Sequence, residues 1–136
     1  MIRKRIAFAV VSGMTLAFAV GVAVGQNSPP TENKGVKVGA PTFIDLGNEI
    51  DSVTGRHLRM RVVTLEPGGV VALHSHKGRP AVAYAVQGTL TEHLENGDVH
   101  ERQQGESWTE DRNTNHWAEN KGDQPVVVVA VDVFKP

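Results

Sequence analysis

The stretch of residues 68–88 reads GGVVALHSHKGRPAVAYAVQG and contains two histidines, His74 and His76, separated by one residue on a predicted strand. Because strand side chains alternate with a period of two, both imidazoles project from the same face. Two imidazoles on one face can hold a metal ion from one side if a third ligand approaches from elsewhere. His116 is the candidate for that third ligand.

The chain beyond Pro41 has the pattern of an all-β protein. Residues 58–62 alternate apolar side chains with Arg59 and Arg61, which predicts a half-buried strand. We expect the two arginines to face solvent, and the alternative is that their face lines the cavity and meets an anion. No stretch has a sustained helical period with caps. Many short strands separated by Gly, Pro and Asn-Gly breaks predict a closed sandwich or barrel. The further strands are predicted over residues 70–76, 81–86, 89–95 and 126–134.

Asn96-Gly97 predicts a two-residue hairpin turn. Such a turn would place His93 opposite His100, on a face whose other residues are polar. We expect that face to be solvated rather than to form a second metal site. Glu92 lies on the other, apolar face of its strand, and if that face looks into the barrel, its carboxylate is a possible additional metal ligand.

Both histidine-bearing segments resemble the sequence motifs of the cupin superfamily. Residues 68–88, with His74 and His76, follow the spacing of the first motif, and residues 105–120, with His116, follow the second. The resemblance implies a small single-domain cupin, which is an all-β jelly-roll barrel. It also implies that the three histidines bind one divalent transition metal.

The chain departs from the cupin motifs at three positions. Ala81 stands where the first motif has a metal-binding glutamate, and Asp111 and Asn113 stand where the second has proline and glycine. Without that glutamate, three neutral imidazoles remain, and they suit iron, zinc, copper, nickel or manganese without choosing among them. Three protein ligands leave open positions for water, substrate or dioxygen.

Two main classes of function follow from the resemblance, and a metal-free structural domain is a third alternative. The first is an exported, dioxygenase-like enzyme that acts on a small molecule through a three-histidine metal site. The second is a non-catalytic domain that binds or senses a metal or a small-molecule ligand. The sequence contains no nucleophile triad, general-base pair or phosphate loop, so any chemistry depends on the metal.

Three further residues are candidates for lining a pocket or supporting the ligands: Tyr84, Trp108 and Asn120. Alternation places Tyr84 on the face opposite residue 81, where packing is expected. Trp108 is expected to fill the barrel or a subunit interface, or else to wall the pocket, and Asn120 can tie its turn to the backbone. Glu110 and Asp111 could orient His116 through its second ring nitrogen, although a solvated loop is the expectation there.

Composition limits the remaining possibilities. The 136 residues suffice for one domain and a short extra segment. The net charge of −1, with the charges scattered, gives no indication of a nucleic-acid partner. The chain has no cysteine, which excludes disulfides, thiolate ligands and thiol catalysis.

Residues 1–25 are predicted to be a signal peptide. Arg3-Lys4-Arg5 precedes an apolar run over residues 6–25, and Ala23-Val24-Gly25 is typical of a cleavage site. About 20 apolar residues also suffice to span a bilayer, so an uncleaved anchor is the alternative. Both interpretations place the folded domain outside the cytoplasmic membrane, either periplasmic or secreted, or anchored to the membrane and facing the periplasm.

The remaining boundaries follow from composition. Residues 26–41 are polar and rich in Pro and Gly, which predicts a mobile linker, and residues 42–136 are the predicted cupin domain. A barrel of this size has a modest core, and an open jelly roll leaves strand edges uncovered. We therefore expect a two-fold homodimer with the strands near the linker at the contact.

Overall fold

The protein is described by a computed structural model over residues 28–136, which form a barrel of antiparallel strands with almost no helix. The all-β prediction is therefore confirmed, while the predicted signal peptide or anchor lies outside the described residues. Within residues 28–136, no helix is long and apolar enough to cross a membrane. The elements are β1 (Lys34–Val38), β2 (Thr42–Asp45), a 3-10 turn (Leu46–Asn48), β3 (His57–Ser75), β4 (Ala81–Gln87), β5 (Thr89–Leu94), β6 (Val99–Gln103), β7 (Ser107–Glu110), β8 (Asn115–Glu119) and β9 (Val126–Phe134).

The long strand β3 belongs to both sides of the barrel. The strands run in the order β6-β5-β8-β3-β9-β4-β7, and β1 and β2 also pair with β3. The first part of β3 pairs with β9, ending at Leu65 opposite Val126, and its last part pairs with β8 from Val70 onward. Because β3 changes partners along its length, it joins the two halves of the nine-stranded sheet and brings His74 beside β8.

The Pro67-Gly68-Gly69 segment is a bend inside β3 rather than the predicted break between two strands. Gly68 has a φ of 72°, which favours glycine. Its N–H donates to the carbonyl of Asn120 at 3.0 Å, and the N–H of Asn120 donates to Gly69 O at 2.9 Å. A Cβ at Gly69 would lie 2.7 Å from the carbonyl oxygen of Glu66, so this close approach also requires glycine. The chain bends here without reversing.

The β5–β6 hairpin differs from the prediction by one residue. His93 pairs with Val99 rather than with His100, and residues 95–97 form a three-residue loop in which Gly97 has a φ of 94°. A three-residue hairpin loop that ends in the left-handed conformation is a common alternative to the two-residue turn. The two-residue turn was therefore a wrong prediction, and His93 does not face His100.

Part of the predicted linker is ordered. Within residues 26–41, β1 pairs with β3, with Val36 opposite Leu65. The side-chain oxygen of Asn33 accepts a hydrogen bond from the N–H of Ala72 at 2.8 Å. The prediction of a mobile linker is wrong for β1, because paired strand edges outweigh the turn-forming composition.

The inward face of the barrel combines an apolar core with a polar end. Two small residues on β4, Ala83 and Ala85, face the interior, and Ala83 lies opposite Trp108 in the ladder. The core residues are Leu65, Ala83, Ala85, Leu90, Trp108, Ala118, Val126 and Val128. The polar residues buried at the other end include His76, Glu92, Glu110, His116 and Asp132. Buried polar groups are costly unless they are paired, so this end is where a functional site is expected.

Candidate metal centre

His74, His76 and His116 converge on one point inside the barrel. The Nε2–Nε2 distances are 3.2 Å for His74 and His76, 3.1 Å for His76 and His116, and 3.0 Å for His74 and His116. His74 and His116 are direct partners in the β3–β8 ladder, which explains why residues forty-two positions apart meet. The structure thus brings together the three histidines singled out from the sequence.

The second ring nitrogen of each histidine determines its tautomer. Nδ1 of His74 lies 2.8 Å from the carbonyl oxygen of Ala72, and Nδ1 of His76 lies 3.1 Å from that of Arg79. Nδ1 of His116 lies 2.7 Å from the carboxylate of Glu92. Carbonyl and carboxylate oxygens accept, so each Nδ1 carries the hydrogen, and in the neutral ring each Nε2 then presents a lone pair.

Three Nε2 lone pairs that face one another without a proton between them repel unless a cation lies at their centre. Nitrogen ligands lie about 2.0–2.1 Å from zinc, so two on one ion at roughly 90–109° are roughly 2.8–3.4 Å apart. The observed separations fall within this range. The donor set therefore fits a single transition-metal ion held by three imidazoles.

Glu110 brings a carboxylate to the same point. Its Oε2 lies 3.2 Å from Nε2 of His76, and its Oε1 lies 3.8 Å from Nε2 of His116. The indole N–H of Trp108 donates to Oε1 at 3.1 Å and holds the carboxylate in this orientation. The expectation of a solvated loop is wrong for Glu110, which is buried at the end of β7. Its alternation with the inward-facing Trp108 was the available signal.

Glu110 lies next to residue 81, the position at which this chain lacks the glutamate of the cupin motif. Ala81 and Glu110 are direct partners in the β4–β7 ladder, so their side chains lie on the same face. Alanine at residue 81 leaves room for the longer side chain of its neighbour. The adjacent strand thus carries a carboxylate on the face to which residue 81 belongs.

Glu92 supports His116 from behind rather than lying beside the three Nε2 atoms. Its Oε1 accepts from Nδ1 of His116, while its Oε2 accepts from Arg102 at 2.9 Å and 2.7 Å. Burial alone would raise the pKa of Glu92, but the hydrogen bonds from His116 and Arg102 outweigh it and lower that pKa. Donor atoms of Glu92, Glu110 and His116 also lie within 4.8 Å of one another. Since both oxygens of Glu92 are already paired, we assign it the role of orienting His116 and not of an additional ligand.

Burial keeps two of the imidazoles neutral. It lowers the pKa of His74 and of His76 to about 4, and the positive charge of Arg79 acts in the same direction, whereas the hydrogen bond of each ring to a backbone carbonyl raises its pKa. Neutral imidazole is the form that binds a metal, so at neutral pH neither ring must lose a proton first.

Arg59 and Arg61 point inward, which corrects the prediction that they face solvent. Arg59 donates to both carboxylate oxygens of Asp132, at 3.0 and 2.7 Å, and Arg61 and Arg79 donate to its Oδ2 at 3.1 and 3.3 Å. Burial would raise the pKa of Asp132, but the hydrogen bond from Arg59 and the three positive charges lower it. Asp132 lies two residues after Ala130, so both face the inside of the barrel on β9. The arginines turn inward because they pair with this buried carboxylate.

A cavity of about 280 Å³ adjoins the three histidines. Its walls are mostly apolar and include Trp108. This agrees with the sequence-based alternative in which Trp108 walls the pocket. Tyr84 is exposed on the outer face and does not line the cavity, so its place among the pocket candidates was wrong. Asn120 is buried outside the cavity, where its amide donates to Leu65 O and Gln124 O and so ties the turn to the backbone.

The comparison with protein families decides the classification. The family model described as a cupin domain matches residues 61–133, a span that includes all three histidines. The chain belongs to the cupin family. A search of curated proteins finds no match.

Solved structures agree on the fold of this cupin. An uncharacterized protein with a double-stranded β-helix domain from Klebsiella pneumoniae is 24% identical, with a TM-score of 0.54, over 57% of this chain and 68% of that one. The cupin domain of an XRE family transcriptional regulator from Enterobacter cloacae is 15% identical, with a TM-score of 0.56, over 76% and 99%. A predicted oxalate decarboxylase from Thermotoga maritima is 22% identical, with a TM-score of 0.51, over 70% and 92%. At these identities the likeness shows the jelly-roll fold alone.

Proposed function

We propose that this cupin binds one divalent transition metal through His74, His76 and His116, with Glu110 as an anionic fourth ligand. The observation that supports this most is the convergence of three Nε2 atoms in one place, with a carboxylate oxygen of the buried Glu110 lying 3.2 Å from Nε2 of His76. A carboxylate lowers the net charge of the metal unit by one relative to the three-histidine site expected from the sequence. It also makes the harder ions, iron and manganese, better candidates beside zinc, copper and nickel.

The chain's own residues prepare this site for a small molecule. A bound metal would supply Lewis acidity and, if it is redox-active, a centre for dioxygen chemistry. Glu92 holds the Nδ1 proton of His116, and Trp108 holds the carboxylate of Glu110. The apolar walls of the adjoining cavity exclude water from a ligand placed there. We favour a small-molecule oxygenase, and the alternative is a domain that binds metal and ligand without turnover.

Elemental analysis of the protein purified from its native compartment tests the proposal. We expect one transition-metal ion per chain, and an N-terminus measured by mass spectrometry that begins after residue 25 if the leader is cleaved on export. Bound iron would favour oxygenase chemistry, whereas zinc would favour a hydrolytic or binding role. Protein that is metal-free on isolation and gains none on addition of these ions would overturn the proposal.

We further propose that the domain forms a two-fold homodimer, and we place its contact on the outer face of β3, β9 and β4 instead of on the strands near the linker, where the sequence-based expectation placed it. Val82 and Tyr84 on β4 are 54% and 46% exposed, and Met60 on β3 is 44% exposed. Val131 and Val129 on β9 lie opposite Val82 and Tyr84 in the ladder, so the apolar side chains are contiguous. Large contiguous apolar patches mark association surfaces, and an uncharged face is complementary to its own copy.

A charge on this face should dissociate the dimer. We expect Tyr84→Glu to convert the mature protein to a monomer in sedimentation experiments at micromolar concentration, because a carboxylate would be buried in an apolar contact. Val99→Glu is the matched control, since Val99 is similarly exposed, at 52%, but lies on β6. A wild-type protein that sediments as a monomer would contradict the proposal.

A further inference from the structure

The cavity beside the three histidines has cationic groups on its wall. Arg61 and Arg79 line it, together with Glu110 as the acidic residue. Glu110 is turned toward His76 and held there by Trp108, and within residues 28–136 it forms no direct ion pair with either arginine, although its charge acts on Arg61 from a distance. Asp132 is therefore the carboxylate that pairs directly with the two arginines of the cavity wall.

Asp132 cannot neutralise the arginines around it. Three guanidinium groups, those of Arg59, Arg61 and Arg79, share its single carboxylate. Arg59 takes both oxygens in a two-point contact and also lies 4.0 Å from the ring centroid of Phe134. The two arginines on the cavity wall share only Oδ2.

Arg61 is the least satisfied of the three. Within residues 28–136, its Nε is buried and has no hydrogen-bond partner. Burial lowers the pKa of Arg61, which reflects the cost of holding its charge away from water. Buried donors in native structures normally have partners, so an orphaned guanidinium nitrogen on a cavity wall indicates a group supplied by a ligand.

We infer that the cavity binds a small organic carboxylate, with its anionic group paired to Arg61 and Arg79 and its apolar part against Trp108 and the aliphatic wall. Guanidinium groups match the planar carboxylate with paired hydrogen bonds. The volume of about 280 Å³ suits a small molecule rather than a peptide. This inference rests on the proposed function in one respect: a carboxylate bound in the cavity would be the class of molecule that the metal centre acts on or senses.

Calorimetric titration of the metal-loaded protein with acetate, hexanoate and benzoate, and with their neutral amides, tests the inference. We expect at least one carboxylate to bind and its amide to bind at least about tenfold more weakly, as is typical when a charged hydrogen-bond partner is lost. Arg61→Gln should weaken carboxylate binding by a similar factor, and Arg61→Lys should retain part of the affinity because it keeps the charge.

Arg59→Gln is the matched control, because it removes the same charge beside Asp132 from a residue that does not line the cavity. We expect it to change carboxylate affinity much less than Arg61→Gln. Equal losses in both variants, equal binding of acid and amide, or no binding of any of the three carboxylates would overturn the inference. Metal content measured on the same samples separates the two proposals, since Arg61→Gln should keep its metal and failure of the metal site would appear in the wild type.

Discussion

Alanine at His74, His76 or His116 is expected to reduce metal affinity by more than about 100-fold in each single variant. Mutating the groups that merely support metal ligands costs on the order of 10–100-fold, so loss of a ligand itself should exceed that range. All three Nε2 atoms lie within 3.2 Å of one another, so the removal of any one ring takes away a donor atom that faces the other two. Chelator competition and elemental analysis on the same preparation give the affinity and the stoichiometry.

His93→Ala is the matched control for these variants. His93 lies on β5, stacks on Trp117 at a ring separation of 3.7 Å and pairs with Glu119, away from the three histidines. Its replacement should leave the metal content unchanged. Stoichiometric metal in the His116→Ala variant would show that the site is built on other ligands.

The single change Glu110→Ala is expected to weaken metal binding. Moving the carboxylate to the neighbouring strand, in the double variant Ala81→Glu/Glu110→Ala, is expected to restore it. Removing Glu110 deletes the anionic ligand, so we expect a larger loss for manganese and iron than for the softer ions. The double variant Ala81→Glu/Glu110→Ala places a carboxylate on the same inward face from β4, since residues 81 and 110 are direct partners. It should recover most of the manganese affinity measured by titration.

The single Ala81→Glu change provides the contrast. Residue 81 lies between Glu110 on β7 and Asp132 on β9 in the ladder, so a third carboxylate would face two acids. Like charges directly opposite destabilise a sheet, and the melting temperature of the metal-free variant should fall relative to the double variant.

Unchanged metal affinity in Glu110→Ala would show that this carboxylate does not ligate the metal.

Much of the site was predictable because it depends on local geometry. The spacing of His74 and His76 places both rings on one face of any strand, and the motif spacing identified His116. The inward face of Glu92 was also foreseen as a possibility, although the structure places its carboxylate behind His116. Glu110 was considered only as a residue that could orient His116, and its approach to the Nε2 atoms was missed. Its position two residues after Trp108 on β7 was given less weight than the polar loop that follows it.

The sequence alone determined the all-β class, the cupin motifs and the pairing of two histidines on one face, since strand periodicity acts between residues that are close in the chain. The tertiary structure decided which carboxylate meets the histidines and which acid draws Arg59 and Arg61 inward. It also decided that β3 continues through Pro67-Gly68-Gly69 instead of reversing there. These outcomes depend on which distant strands become neighbours and in what register, because a cross-strand contact is formed between residues that local periodicity does not relate.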